Sequence, residues 1–177
     1  MRALGSTVLR LRGWEIEGAF PDTPKFVLIV APHTSNWDFP VGLMAMFSLR
    51  LRLSYLAKHT LFWFPLGPFM RWVGGIPVDR SVHADRVKDA IEEFGRHDRL
   101  ILVVTPEGTR KKVPRWKTGF YHVAVGAGVP IVPVSFDYTR KVITLWPAFT
   151  PTGDIEADIE KLQAIYKREM AKRPENF

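Results

Sequence analysis

The 177 residues suffice for one domain, and a hydrophobic content of 46% builds a core without crosslinks or structural metals. No cysteine is present, which excludes a disulfide framework, a zinc–thiolate site and a covalent cysteine intermediate. A net charge of +7 at pH 7 points to an anionic partner: nucleic acid, an anionic membrane surface or a phosphate-bearing substrate.

The N-terminal MRALGSTVLRLRGW mixes Arg2, Arg10 and Arg12 with scattered Leu and Val and lacks the continuous apolar region of a secretory signal, so a cytosolic chain is expected. Arg10 and Arg12 beside Val8, Leu9 and Leu11 make residues 1–20 a candidate amphipathic membrane-contact segment, with plain surface docking as the alternative. Strand-type runs follow at 26–31 (FVLIVA), 53–57 (LSYLA), 76–78 (IPV), 100–105 (LILVVT), 130–136 (PIVPVSF) and 142–146 (VITLW). Helices are expected between them over 41–50, 83–97, 117–127 and 154–171. In the second of these Val87, Ala90, Ile91 and Phe94 form a stripe; in the last Ile155, Ile159, Leu162 and Ile165 do, with Asp154 placed to cap it. The most apolar stretch, LFWFPLGPFM at 61–70, is too short to span a bilayer and carries two prolines.

Strands alternating with helices, without repeats or long linkers, predict a single α/β domain over 1–177. Its sheet is mixed and mostly parallel, flanked by the helices that parallel crossovers require. Ligands bind such sheets beyond the carboxyl ends of the strands. Two polar clusters are expected there: HTSNWD at 33–38 and PEGTR at 106–110.

On a regular helix His33 and Asp38 would stand about 140° apart and would not meet. With His33 at a strand exit and Asp38 at the entry of the next helix, the turn between them brings carboxylate to imidazole. That carboxylate fixes the ring tautomer and frees the other nitrogen to take a proton from a hydroxyl nucleophile. The competing reading makes Asp38 an N-cap before Phe39 and Pro40, with Ser35 as a loose capping-box partner, and His33 a strand-end histidine bonded to a neighbouring loop. In the second cluster Arg110 offers a donor fork suited to phosphate, Gly108 permits close backbone approach, and Glu107 can accept from a hydroxyl; a solvated charged loop is the alternative.

In this order the chain resembles the glycerolipid acyltransferase family typified by 1-acylglycerol-3-phosphate acyltransferase. HTSNWD is similar to that family's HxxxxD motif, which implies catalytic roles for His33 and Asp38. GGIPVDR at 74–80 resembles the second block, implying that Arg80 holds the acceptor's phosphate. PEGTR resembles the third, implying substrate-positioning roles for Glu107, Gly108, Thr109 and Arg110. VPIVPV at 129–134, with Pro130 and Pro133, resembles the fourth, associated with the acyl side of the site. A lysine of the family stands where Lys58 is. Thr60 and Lys111 depart from the usual glutamate and serine, which leaves the acceptor open.

The resemblance covers most of 26–137 and implies direct acyl transfer from acyl-CoA or an acyl carrier protein to a lysolipid hydroxyl, with no acyl-enzyme and no cofactor. It agrees with the lack of cysteine and of a GxSxG elbow. Lys58, Arg80 and Arg110 would bind the anionic headgroup, and the positive charge would favour peripheral association with the cytoplasmic face of an anionic membrane. Leu61, Phe62, Trp63, Phe64, Leu66, Phe69 and Trp72 are candidates for an acyl-chain groove or membrane contact, core packing being the alternative. Two rivals differ in class: a hydrolase in which His33 activates water, and a non-catalytic basic lipid- or nucleic-acid-binding module. No nucleic-acid signature supports the latter. The five histidines (33, 59, 83, 97 and 122) show no metal-binding spacing, so no metal site is expected.

Overall fold

Behind Lys25, six side chains in succession are buried (FVLIVA), the pattern of a strand covered on both faces. The computed structural model describes residues 2–78 and 86–177. In chain order its helices and strands are α1 (Arg2–Leu11), β1 (Glu15–Gly18), β2 (Lys25–Ala31), α2 (Asp38–Ser48), β3 (Ser54–Lys58), α3 (Leu66–Trp72), β4 (Gly75–Val78), α4 (Arg86–Arg96), β5 (Leu100–Val104), α5 (Gly119–Ala127), β6 (Ile131–Asp137), β7 (Val142–Leu145) and α6 (Ile155–Gln163). The strands form one sheet in the order β1-β7-β6-β2-β5-β3-β4. Every pairing is parallel except that of β6 with β7, so the mixed, mostly parallel sheet expected from sequence is present.

The alternation of side chains along β2 divides the core in two. Val27, Ile29 and Ala31 pack with Phe94 of α4, Phe120, Tyr121 and Ala124 of α5, and Leu162 of α6. Phe26, Leu28 and Val30 face the other way, against Leu9 of α1, Ala45 of α2 and Trp14. The chain therefore leaves β2 toward a helix on one face of the sheet and leaves the neighbouring β5 toward a helix on the other. That divergence opens a crevice at the carboxyl ends of adjacent parallel strands.

Three sequence expectations need correction. The helix expected over 154–171 ends at Gln163, although Asp154 does cap its start by accepting from the Ala157 N–H at 3.1 Å. Tyr166 leaves the helical stripe to bury its ring against Trp116, and Lys167 is already extended. The strand β1 was not expected: EIEG is short and polar, and it pairs with β7 as an edge. Helix α2 begins at Asp38 rather than 41, with Pro40 in the first turn, where no N–H is needed. The helix expected from 83 is described only from Arg86.

One buried carboxylate fastens α6 to the rest. Asp158 is wholly buried; it accepts from the Tyr121 hydroxyl of α5 at 2.8 Å and from the Thr152 N–H and hydroxyl at 2.7 and 2.9 Å. Burial alone would raise its carboxyl, yet these donors and the Lys161 charge hold it below the usual value. A lowered carboxyl stabilises the fold above the unfolded value of about 3.9 and ceases to do so as pH falls through the folded value. Asp158→Asn is therefore expected to lower Tm by several degrees at pH 7. The gap from wild type should shrink below about pH 4 in thermal melts across pH.

Candidate active site

β2 ends at Ala31 in line with Ser135 of β6, and a cis bond leads into the fully buried Pro32. The next residue, His33, is held from β5's side of the crevice: its backbone N–H donates to Glu107 Oε1 at 2.9 Å. The two polar clusters are thus bonded to each other. Residues 33–37 then fold back instead of starting a helix, and Asp38 is the first helical residue of α2. Its Oδ2 accepts from the N–H groups of Thr34 (3.0 Å) and Ser35 (2.9 Å) and stands 3.0 Å from His33 Nδ1. Its Oδ1 accepts from the Tyr138 hydroxyl at 2.8 Å.

This geometry overturns the reading of Asp38 as an N-cap, but the loose capping box of Ser35 with Asp38 is present, the Asp38 carboxylate accepting from the Ser35 N–H. The position before α2 is Trp37, which makes no side-chain cap, and the Asp38 carboxylate turns back toward the loop rather than onto the helix N-terminus. Ser35 Oγ accepts from the Trp37 N–H at 3.2 Å, as an N-cap hydroxyl does. The Asp38 side chain is 2% exposed against 17% for His33, so the carboxylate is sealed while the imidazole reaches the crevice. The Nδ1–Oδ2 separation fits a hydrogen bond, but Nδ1 is not aligned to make one. Catalytic hydrogen bonds often tighten only with substrate in place. A carboxylate beside one ring nitrogen, with the other nitrogen open to a hydroxyl, can perform general base chemistry.

Glu107 is itself buried, and one oxygen, Oε2, has no hydrogen-bond partner among the described residues. Burial raises its carboxyl above the usual value, and the negative charge of Asp38 adds to this. The His33 N–H, its own backbone N–H and the His33 ring pull in the opposite sense. Gly108 sits at φ +64°, a left-handed conformation that favours glycine. A Cβ there would come within 3.0 Å of the Lys117 side chain. The Gly108 N–H donates to Thr105 O at 3.0 Å and the Lys117 N–H to Pro106 O at 2.8 Å, closing the loop. Thr109 and Arg110 stand exposed upon it. Lys58 closes β3 at this same end of the sheet, while Arg80 lies outside the described residues.

The apolar candidates divide. Trp63, Phe64, Phe69 and Trp72 are exposed, Phe64 at 82%. Phe69, Trp72 and Phe47 lie ring against ring, and the Arg71 guanidinium stands 5.3 Å from the centre of the half-buried Phe62 ring. Leu61 is exposed too, and Leu66 is half-buried. Plain core packing does not describe the exposed members. Pro133 and Pro130 belong elsewhere. Pro133 is fully buried inside β6 opposite Ile29, and Pro130 precedes β6 at the far end of the sheet, accepting from the Val27 N–H. A proline-bearing strand says nothing of which end faces the crevice. As for residues 1–20, α1 docks on α2 so closely that a Cβ on Gly5 would meet Met44 O, with Leu4 and Leu11 left exposed.

Sequence reasoning missed Tyr138, which lies a hundred positions from its partner in a turn. The C-terminal segment was missed as well: the Arg173 N–H donates to Thr34 Oγ1 at 3.2 Å, and the Tyr138 N–H to Met170 O at 2.9 Å. Among the described residues no helix is long and apolar enough to cross a membrane, and no three or more metal-ligating side chains gather.

Residues 18–137 match the family model described as Acyltransferase, a span that holds both clusters and the sheet between them. The chain belongs to the Acyltransferase family. Similar members include the 1-acyl-sn-glycerol-3-phosphate acyltransferase of Haemophilus influenzae, 29% identical over 145 residues covering 76% of this chain and 59% of that protein. That of Escherichia coli is 30% identical over 67% of this chain and 49% of the relative. The alpha form of Mus musculus is 34% identical over 68% and 44%. The chain thus spans about half the length of the curated relatives it matches. The acyltransferase architecture is also seen in the crystal structure of the 1-acyl-sn-glycerophosphate (LPA) acyltransferase, PlsC, from Thermotoga maritima. The TM-score is 0.69 at 22% identity, covering 96% of this chain and 76% of that one.

Proposed function

We propose that this chain moves a fatty acyl group from a thioester, acyl-CoA or an acyl carrier protein, to the hydroxyl of a lysophospholipid, with 1-acylglycerol-3-phosphate as first candidate. The observation that carries this reading is the pairing of His33 with a sealed Asp38 at the crevice of an Acyltransferase-family fold. Asp38 orients the ring through Nδ1. Nε2 takes the acceptor's proton as its oxygen attacks the thioester carbonyl. Collapse of the tetrahedral intermediate breaks the C–S bond, and the leaving thiolate recovers the proton from the imidazolium. No cysteine exists to carry an acyl-enzyme, and the step needs no cofactor beyond the donor.

Arg110, exposed on the loop that Glu107 ties to His33, suits the acceptor's phosphate, together with Lys58 and Arg80 from the matching blocks. Arg110→Ala is expected to raise KM for a phosphate-bearing lysolipid by about tenfold, as loss of one charge-assisted contact would, with little change in kcat. Steady-state kinetics on vesicle-presented acceptor checks it, and an unchanged KM would remove Arg110 from the headgroup site. Exposed Trp63, Phe64, Phe69 and Trp72 with a net charge of +7 fit a face that rests on an anionic membrane, its cytoplasmic side being the one that holds thioester donors.

The deciding experiment supplies purified protein with long-chain acyl-CoA or acyl carrier protein and a mixed panel of lysolipids, with products read by mass spectrometry. A diacyl product establishes transfer, and its mass identifies the acceptor class. Release of free fatty acid without a diacyl product would instead establish hydrolysis.

A further inference from the structure

Asp38 faces more than His33 and its own loop. The Tyr138 hydroxyl donates to Oδ1, the oxygen not facing the imidazole, at 2.8 Å. Tyr138 is the first residue of the turn after β6, and that turn is fixed. Asp137 is buried, and its Oδ1 accepts from the N–H groups of Thr139 and Arg140 at 3.0 and 2.9 Å. The ring is fixed as well. Trp14 meets it edge-on at 5.0 Å between centroids, Lys172 Nζ stands 5.3 Å from its centre, and its backbone N–H donates to Met170 O. A hydroxyl held from strand, N-terminal segment and C-terminal segment has one direction in which to donate, and that direction is Asp38.

We infer that Tyr138 is a positioning residue for the His33–Asp38 pair, fixing the Asp38 carboxylate and drawing charge from it. Its hydroxyl is bonded to Asp38 and not to the His33 ring, so it acts through Asp38. Tyr138 lies one residue beyond the 18–137 span of the family match, so none of the motif blocks supplies this role. The consequence is electrostatic. Asp38 accepts two backbone N–H groups on Oδ2 and one hydroxyl on Oδ1. Each donor spreads the carboxylate's charge and weakens its pull on the imidazole proton. Without the hydroxyl, Oδ1 is left buried and unpaired, and the carboxylate holds the imidazolium more tightly. Among the described residues, the charged groups beside the pair include Glu107, which bonds the His33 backbone, and Lys172, which lies over the Tyr138 ring. Both remain in the variant.

Tyr138→Phe keeps the ring and its packing against Trp14 and deletes only the donor. The first measurement is the His33 ring titration by NMR in both proteins, which requires no turnover. The midpoint in the variant is expected to move to higher pH by at least about half a unit, as loss of a donor to the paired carboxylate requires. The second is the pH profile of acyl transfer, whose acidic limb should move the same way. kcat should fall about tenfold, the scale of an orienting hydrogen bond, with KM for donor and acceptor unchanged. In an Asp38→Asn background the same substitution should do nothing further, since the carboxylate through which it acts is gone. An unmoved His33 titration in a folded variant overturns the inference. So does a kcat loss that adds fully to that of Asp38→Asn. The kinetic arms rest on the acyl-transfer reading and the titration does not. Wild type that transfers no acyl group while the titration shifts would fail that reading and leave this one standing.

Discussion

His33→Ala is expected to reduce acyl transfer by about 10²- to 10⁴-fold in a protein that still folds, the range that a positioned general base supplies. Three features set this expectation. His33 follows a strand buried along its length, so its backbone is anchored before the side chain is considered. Its N–H is bonded to Glu107, which fixes the direction in which the ring leaves the chain. Asp38 lies 3.0 Å from Nδ1 and has its remaining valences filled by Thr34, Ser35 and Tyr138, so it has no competing geometry to adopt. The side chain is partly exposed, so its removal leaves no large cavity and stability should change little. Single-turnover rates with saturating thioester and lysolipid check the loss, alongside circular dichroism of the variant. Asp38→Asn should approach the same deficit by losing the preferred tautomer, but with a measurable fall in Tm, because Asp38 also organises the loop. Transfer within about threefold of wild type in folded His33→Ala would remove His33 from the chemistry and leave acceptor deprotonation to another group.

What the sequence made legible was local. The five-residue step from His33 to Asp38 excluded a helical meeting, and placing His33 at a strand exit and Asp38 at a helix entry allowed a turn that closes the distance. Glu107 was legible as a polar residue at a strand end, but its target was not. That β5 lies directly beside β2, so that Glu107 reaches the His33 backbone, is a consequence of strand order, which no periodicity encodes. Tyr138 was illegible for the same reason, being brought to Asp38 by the β6–β2 pairing and a turn. The C-terminal helix was overextended because Ile165 continues the apolar stripe, whereas burial of the Tyr166 ring against Trp116 requires the chain to turn away. Pro133 was misread because a motif specifies a residue and not the layer it occupies: inside β6 it serves the sheet.

Glu107 carries the second large expectation, and it separates two roles for the PEGTR cluster. If Glu107 bound the acceptor, its loss would raise the acceptor's KM. The geometry instead directs one of its oxygens at the His33 backbone. Glu107→Ala strips that N–H of its partner and frees the strand exit that aims the imidazole. Misplacement of a reacting group by about 1 Å is worth on the order of 10² in rate. The expected result is therefore a kcat lower by about 10²-fold with the acceptor's KM little changed. Glu107→Gln, which retains an oxygen at the Oε1 position, should preserve much more of the rate. The same pair of variants reads the electrostatics of the site. Burial, the largest influence, holds the Glu107 carboxyl above its usual value, so its ionised form is a burden on the folded state. That burden is complete above the raised folded value and fades as pH falls toward the unfolded value of about 4.3. Glu107→Gln lacks it, so the variant should melt at a higher temperature than wild type at pH 8, and the two curves should converge as pH is lowered toward 4. Convergence in the opposite direction, with the gap widening in acid, would mean that the carboxylate is stabilised in the fold and that Oε2 has a donor. A gain in stability joined to a loss in rate would mark Glu107 as a group kept, against the preference of the fold, to aim His33.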